Sequence, residues 1–189
     1  MADADLRRRD FVGILGGAVA ASWLSAGWTE LHAAGRYAAA SPRDEPWQVL
    51  TKQQVRELDA ITAQLIPTDD QPGAREAHVV RFFDRALATF ARDQRPRLEQ
   101  SLLKVSEFVA RQRPGTTSFA TLKDADQVAV ITALEKDAPD AFWSIHGPTI
   151  TGMFANPEYG GNFGKVGWKL MGFQDRYSVY SSLSLFCDP

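Results

Sequence analysis

From Thr51 onward, apolar residues recur three and four positions apart, with polar residues filling the positions between them. Val55, Leu58, Ile61, Ala63, Leu65 and Ile66 follow this spacing behind Thr51-x-x-Gln54, a capping box, and Pro67 ends the helix they predict. A second helix is predicted from Ala74 to Ala91, with Val79 or Val80, Phe83, Leu87 and Phe90 on one face. Pro96 suits the first turn of a third, whose inward set is Leu98, Leu102, Leu103, Val105, Phe108 and Val109 before Pro114-Gly115. A fourth opens at Asp124 or Asp126, turns Val128, Ile131 and Leu134 inward, and stops near Pro139. The fifth spans Pro139 to Phe154 with Phe142, Trp143, Ile145 and Ile150, and Pro148 is expected to kink or break it. A short helical turn is predicted from Lys165 to Met171. No segment shows sustained apolar–polar alternation with β-branched residues. The fold class expected is all-α: a small single-domain bundle of about five helices over residues 41–189, with a Gly/aromatic-rich irregular loop near its C-terminus.

That loop, Asn156 to Phe173, breaks the pattern. Asn156-Pro157 and Gly160-Gly161-Asn162 are turn signals, and Gly164, Gly167 and Gly172 follow closely. Glycines so dense bury no side chain and serve backbone shape or close approach. Tyr159, Phe163, Trp168 and Phe173 give the segment aromatic anchors. Two readings stand open: a surface loop pinned to its own core, or a rigid docking loop for a partner.

The first 40 residues read as a signal and linker. Arg8-Arg9, one spacer and Phe11, then an apolar run from Ile14 to Leu24, resemble a twin-arginine export signal. That run is shorter than the roughly 18 apolar residues of a membrane-spanning helix. A basic cap on an N-terminal helix and an uncleaved anchor are the alternatives. Ala38-Ala39-Ala40 before Ser41 suits cleavage, with Ala33-Ala34 as another region.

Composition adds constraints. Hydrophobic residues at 44% and charged residues at 23% describe a soluble globular chain. A net charge of −2 argues against nucleic acid as a general partner. No Gly-x-Gly-x-x-Gly follows a strand, and no Cys-x-x-Cys-His offers covalent haem attachment. Asp69 and Asp70 read as turn and cap residues, lacking the further oxygen ligands of a calcium loop. His32, His78 and His146 have no second ligand at metal spacing, and His146 reads as a packed core histidine rather than a catalytic base. Cys187 stands alone, as a free thiol or half of an intermolecular disulfide.

Asn156-Pro157-Glu158-Tyr159-Gly160-Gly161-Asn162, followed by Gly167-Trp168-Lys169-Leu170-Met171-Gly172-Phe173, resembles the signature of the gluconate 2-dehydrogenase subunit 3 family, over about Leu50 to Phe173. Members commonly continue Gly-Phe-Pro-Gly, whereas this chain runs Gly172-Phe173-Gln174-Asp175, so the exit from the turn is expected to differ. The resemblance implies a non-catalytic small subunit of a membrane-associated, FAD-dependent sugar or alcohol dehydrogenase. FAD would sit in a flavoprotein of the glucose-methanol-choline type and haem c in a multihaem cytochrome subunit, with no cofactor in this chain. The small subunit would stabilise the flavoprotein and take it through the twin-arginine translocase to the periplasm. Tyr159, Asn162, Trp168 and Lys169 become candidate partner contacts, followed by Glu158 and Lys165. Two other readings remain: a stand-alone periplasmic binding or scaffold module, and a small hydrolase or isomerase using His146 with Glu158 or Asp140.

Overall fold

The structure, a computed structural model, describes residues 46–173. Within them lie six α-helices and no strand: α1 (Lys52–Leu65), α2 (Val79–Ala88), α3 (Arg95–Gln112), α4 (Asp124–Asp137), α5 (Pro139–Phe154) and α6 (Val166–Met171). Four short 3-10 turns join them, at Arg92–Gln94, Phe119–Thr121, Pro157–Tyr159 and Phe163–Lys165. The all-α expectation holds. No described helix is long and apolar enough to cross a membrane.

The bundle is built around α5. Phe142, Ser144, Ile145, His146, Gly147, Pro148, Thr149, Thr151, Gly152 and Met153 are all buried, so the helix is enclosed on every side. It packs against α1, α2, α3, α4 and α6. The expected break at Pro148 does not occur, and α5 is one continuous helix. Proline removes one backbone donor, but neighbours on all sides hold the helix in place. The hydroxyls of Thr149 and Thr151 donate to Ile145 O at 2.7 Å and Gly147 O at 3.0 Å, reinforcing the turns around it.

Local signals explain most boundaries. At the start of α1, Thr51 Oγ1 accepts from Gln54 N at 3.2 Å while Gln54 Oε1 accepts from Thr51 N at 2.9 Å. The second helix is shorter than its apolar spacing predicts. Residues 74–78 are turns, and His78 sits in the left-handed region with φ 53°, so α2 begins at Val79.

Two inward faces also differ by one position. Leu103 and Val128 are 67% and 53% exposed rather than buried. The stripe of α4 runs through Gln127, Val130 and Leu134. Gln127 tolerates burial because its Nε2 donates to Phe119 O at 3.1 Å and its Oε1 accepts from Gln64 Nε2 at 2.7 Å. Likewise α3 buries Ser101, which meets the Ser144 hydroxyl of α5 at 2.6 Å. A polar residue on the core face shifts the apparent phase of an apolar stripe.

One buried carboxylate fixes the lead-in. Asp84 on α2 is 1% exposed and accepts from the amides of Gln48, Val49 and Leu50 at 2.9–3.0 Å. Asp84→Asn turns one acceptor oxygen into a donor facing the Gln48 amide. We expect it to destabilise the domain by about 2 kcal/mol. Urea unfolding measures that loss, and amide exchange at Gln48 to Leu50 shows whether it is localised there.

Candidate partner-docking site

The segment after α5 is first of all a cap on that helix. A helix leaves its last carbonyls without intrahelical partners, and here residues of the glycine-aromatic stretch supply them. Asn162 N donates to Gly152 O at 2.7 Å, and Asn162 Nδ2 donates to Ala155 O at 2.9 Å. The indole Nε1 of Trp168 donates to Phe154 O at 2.7 Å. Asn162 Oδ1 in turn accepts from Gly167 N at 2.9 Å, near the start of α6, which ties the two helices together.

These contacts require backbone pressed on backbone. A Cβ on Gly161 would lie 2.1 Å from Gly152 O, and one on Gly167 would lie 2.0 Å from Met153 O. Both glycines are therefore required by close approach to α5. Asn156 opens the turn by accepting from Glu158 N at 3.1 Å, and Gly160 closes it at φ 100°. Tyr159 meets Phe90 edge-on at 5.9 Å between ring centres. Phe163 stacks on His78 at 4.3 Å, and its amide donates to Ala77 O at 3.1 Å.

The expected contacts thus separate by position. Glu158, Lys165 and Lys169 are exposed, and Tyr159 and Trp168 are half-buried. Asn162 is 0% exposed with its side chain satisfied inside the chain, so it is a clamp with no surface to offer a partner. Trp168 spends its one donor on Phe154, while its ring packs edge-on against Phe173 at 5.1 Å with Lys165 Nζ 5.8 Å from its centre. Met171 and Phe173 extend this surface at 48% and 55% exposure. Neither was among the candidate contacts, because a six-residue helix is too short for periodicity to separate its faces. Lys165, Lys169, Met171 and Phe173 are thus exposed on a braced segment, two of them cationic and two apolar.

The elements of a His146 enzyme do not assemble. His146 is 3% exposed between Phe142 and Trp143, with ring centres 5.2 and 4.9 Å away, and burial lowers its pKa to about 4. Asp140 and Glu158 both lie at the surface. Asp140 and His146, six positions apart on α5, point about 120° apart around its axis. No group of three or more metal-ligating side chains occurs among the described residues.

A family model described as gluconate 2-dehydrogenase subunit 3 matches residues 52–175. The chain belongs to this family. No curated protein and no solved structure matches it. Gluconate 2-dehydrogenase subunit 3 membership implies a partner dehydrogenase complex. The match spans α1 to α6 and the whole capping segment. Arg8, Arg9 and Phe11 of the expected export signal, and Cys187, lie outside the described residues.

Proposed function

We propose that this chain is the non-catalytic small subunit of a sugar or alcohol dehydrogenase complex. Its partner is an FAD-carrying flavoprotein of the glucose-methanol-choline type, which it stabilises and accompanies through the twin-arginine route to the periplasm. A multihaem cytochrome c subunit accepts the electrons, and this chain holds no cofactor. Family membership supports the dehydrogenase association. The observation that carries the docking role is the exposure of Met171 and Phe173 beside Lys165 and Lys169, on a segment braced against α5. Exposed apolar groups on a rigid base offer contact area at little ordering cost.

Lys169→Glu with Met171→Ser tests that surface, because both side chains point outward and neither braces α5. The pair should weaken capture of the flavoprotein at least tenfold, about 1.4 kcal/mol, and leave the thermal midpoint of the free subunit nearly unchanged. Equal affinity in a binding titration would move the docking surface elsewhere on the bundle. Tyr159 is a poorer probe, since its ring packs on Phe90.

Export has its own test. Replacing Arg8 and Arg9 together by lysine should leave both this chain and the flavoprotein in the cytoplasm. Cell fractionation with a flavoprotein still periplasmic would refute the carrier role while leaving the complex itself standing.

A further inference from the structure

A recess lies beside the capping segment. It is a cleft of about 580 Å³ between α1, the turns at residues 74–78, the start of α2 and the 3-10 turn at Phe119–Thr121. Its apolar lining comes from Trp47, Val55, Val79 and Val80. Arg56, Arg75 and Arg81 line it as well, with Asp59 as the one carboxylate among the described lining residues. Asp59 is engaged by Arg75 Nε at 3.0 Å, and among the described residues Arg56 has no ion-pair partner. The Arg81 guanidinium lies 3.7 Å from the Trp47 ring centre, which holds it at the cleft wall. In a chain of net charge −2, three arginines and one carboxylate among the described residues thus line an apolar floor.

The cleft is continuous with the capping segment. His78 lines it, and the same ring stacks on Phe163 at 4.3 Å. The left-handed backbone at His78 makes that double contact, serving the cleft on one side and the capping segment on the other. A partner seated on the capping segment beside Phe163 therefore borders this recess.

We infer that the cleft receives a carboxylate side chain, flanked by apolar residues, from the partner flavoprotein; this rests on the subunit role proposed above. Charge complementarity selects the occupant. Guanidinium groups recognise carboxylates through directed, paired hydrogen bonds, and the apolar floor shields those bonds from water. The apolar flanks of the incoming segment cover Trp47 and Val55.

The test is Arg56→Glu with Arg75→Gln in the full chain, measured by capture of the flavoprotein at low and at high salt. Both side chains are on the surface, and the Arg75–Asp59 pair is half-exposed, so the fold loses little. We expect at least tenfold weaker capture at low salt, a flatter salt dependence, and an unchanged thermal midpoint for the free subunit. Unchanged capture by this variant, with Lys169→Glu/Met171→Ser still impaired, overturns the cleft and leaves the subunit role intact. A lower midpoint of the free subunit with unchanged capture gives the cleft to residues upstream of Pro46 instead. A thermal shift with phosphate or citrate that the variant abolishes, again with unchanged capture, makes it a site for a small anion. Failure of the unaltered chain to capture the flavoprotein overturns the subunit role and this inference with it.

Discussion

Gly161→Ala and Gly167→Ala are each expected to destabilise the domain by about 3 kcal/mol or more, the largest loss we foresee for any single methyl group in this chain. The added carbon would meet a backbone carbonyl of α5 at 2.1 or 2.0 Å. A flexible side chain could swing aside, but a carbonyl moves only with its helix. That helix is packed against five others. The remaining escape is for the capping segment to lift, which breaks the bonds from Asn162 and Trp168 to the last carbonyls of α5. The same stretch supplies the control. Gly164, unlike those two, has a positive φ, 60°, and nothing lies within 4 Å of its added carbon. Gly164→Ala should therefore cost only the left-handed strain, about 1 kcal/mol. Chemical denaturation of the three variants makes the comparison, and equal stabilities would mean that the segment does not press on α5.

Acid is the second large effect. His146 titrates near pH 4 in the folded chain because burial disfavours its charged form, against an ordinary value near 6.5. The unfolded chain thus binds this proton more readily than the folded one. Stability from the neutral imidazole is complete above about pH 6.5 and is lost as pH falls through the folded value near 4. The full span corresponds to about 3 kcal/mol. Glu76 moves the same way lower on the scale: the Thr68 hydroxyl and the Gly73 amide hold its carboxyl below the ordinary value of 4.5. Unfolding free energies at pH 7, 6, 5 and 4 should fall steeply for the unaltered chain and much less for His146→Leu. The slope, not the baseline, is the readout, so a constant packing loss in the variant does not confuse it. Parallel slopes would show that another group carries the acid response.

The helices were legible because each is written locally. The capping box at Thr51 and Gln54, Pro96 near the start of α3 and the acid-rich start of α4 all mark boundaries in adjacent residues. What escaped involves partners distant in sequence. Gln127 reads as a surface residue until Gln64 and Phe119 are seen to satisfy its amide. Asp84 reads as a helical acid until three amides some 35 positions earlier converge on it. Nothing local marks His78 for the left-handed region either.

The candidate site was half visible for the same reason. Close approach was legible in the glycines, but its target was not: Gly161 and Gly167 approach the chain's own α5. Glu158, Lys165 and Lys169 are at the surface as loop charges usually are. Asn162 stood in the sequence as a turn residue and possesses no exposed surface at all.

The cap on α5 also sets an order of events during synthesis. Ala155 and Phe154 wait for groups that lie seven and fourteen residues further along the chain. At roughly 5–20 residues per second, the ribosome delivers Asn162 and Trp168 a second or so after the helix they close. Until then the central helix has a frayed end and the bundle has an open floor. Lys169, Met171 and Phe173 follow Trp168 directly, so the face we propose for a partner is the last described part to leave the tunnel. A nascent chain therefore cannot display that face before the residues that shut its core are available.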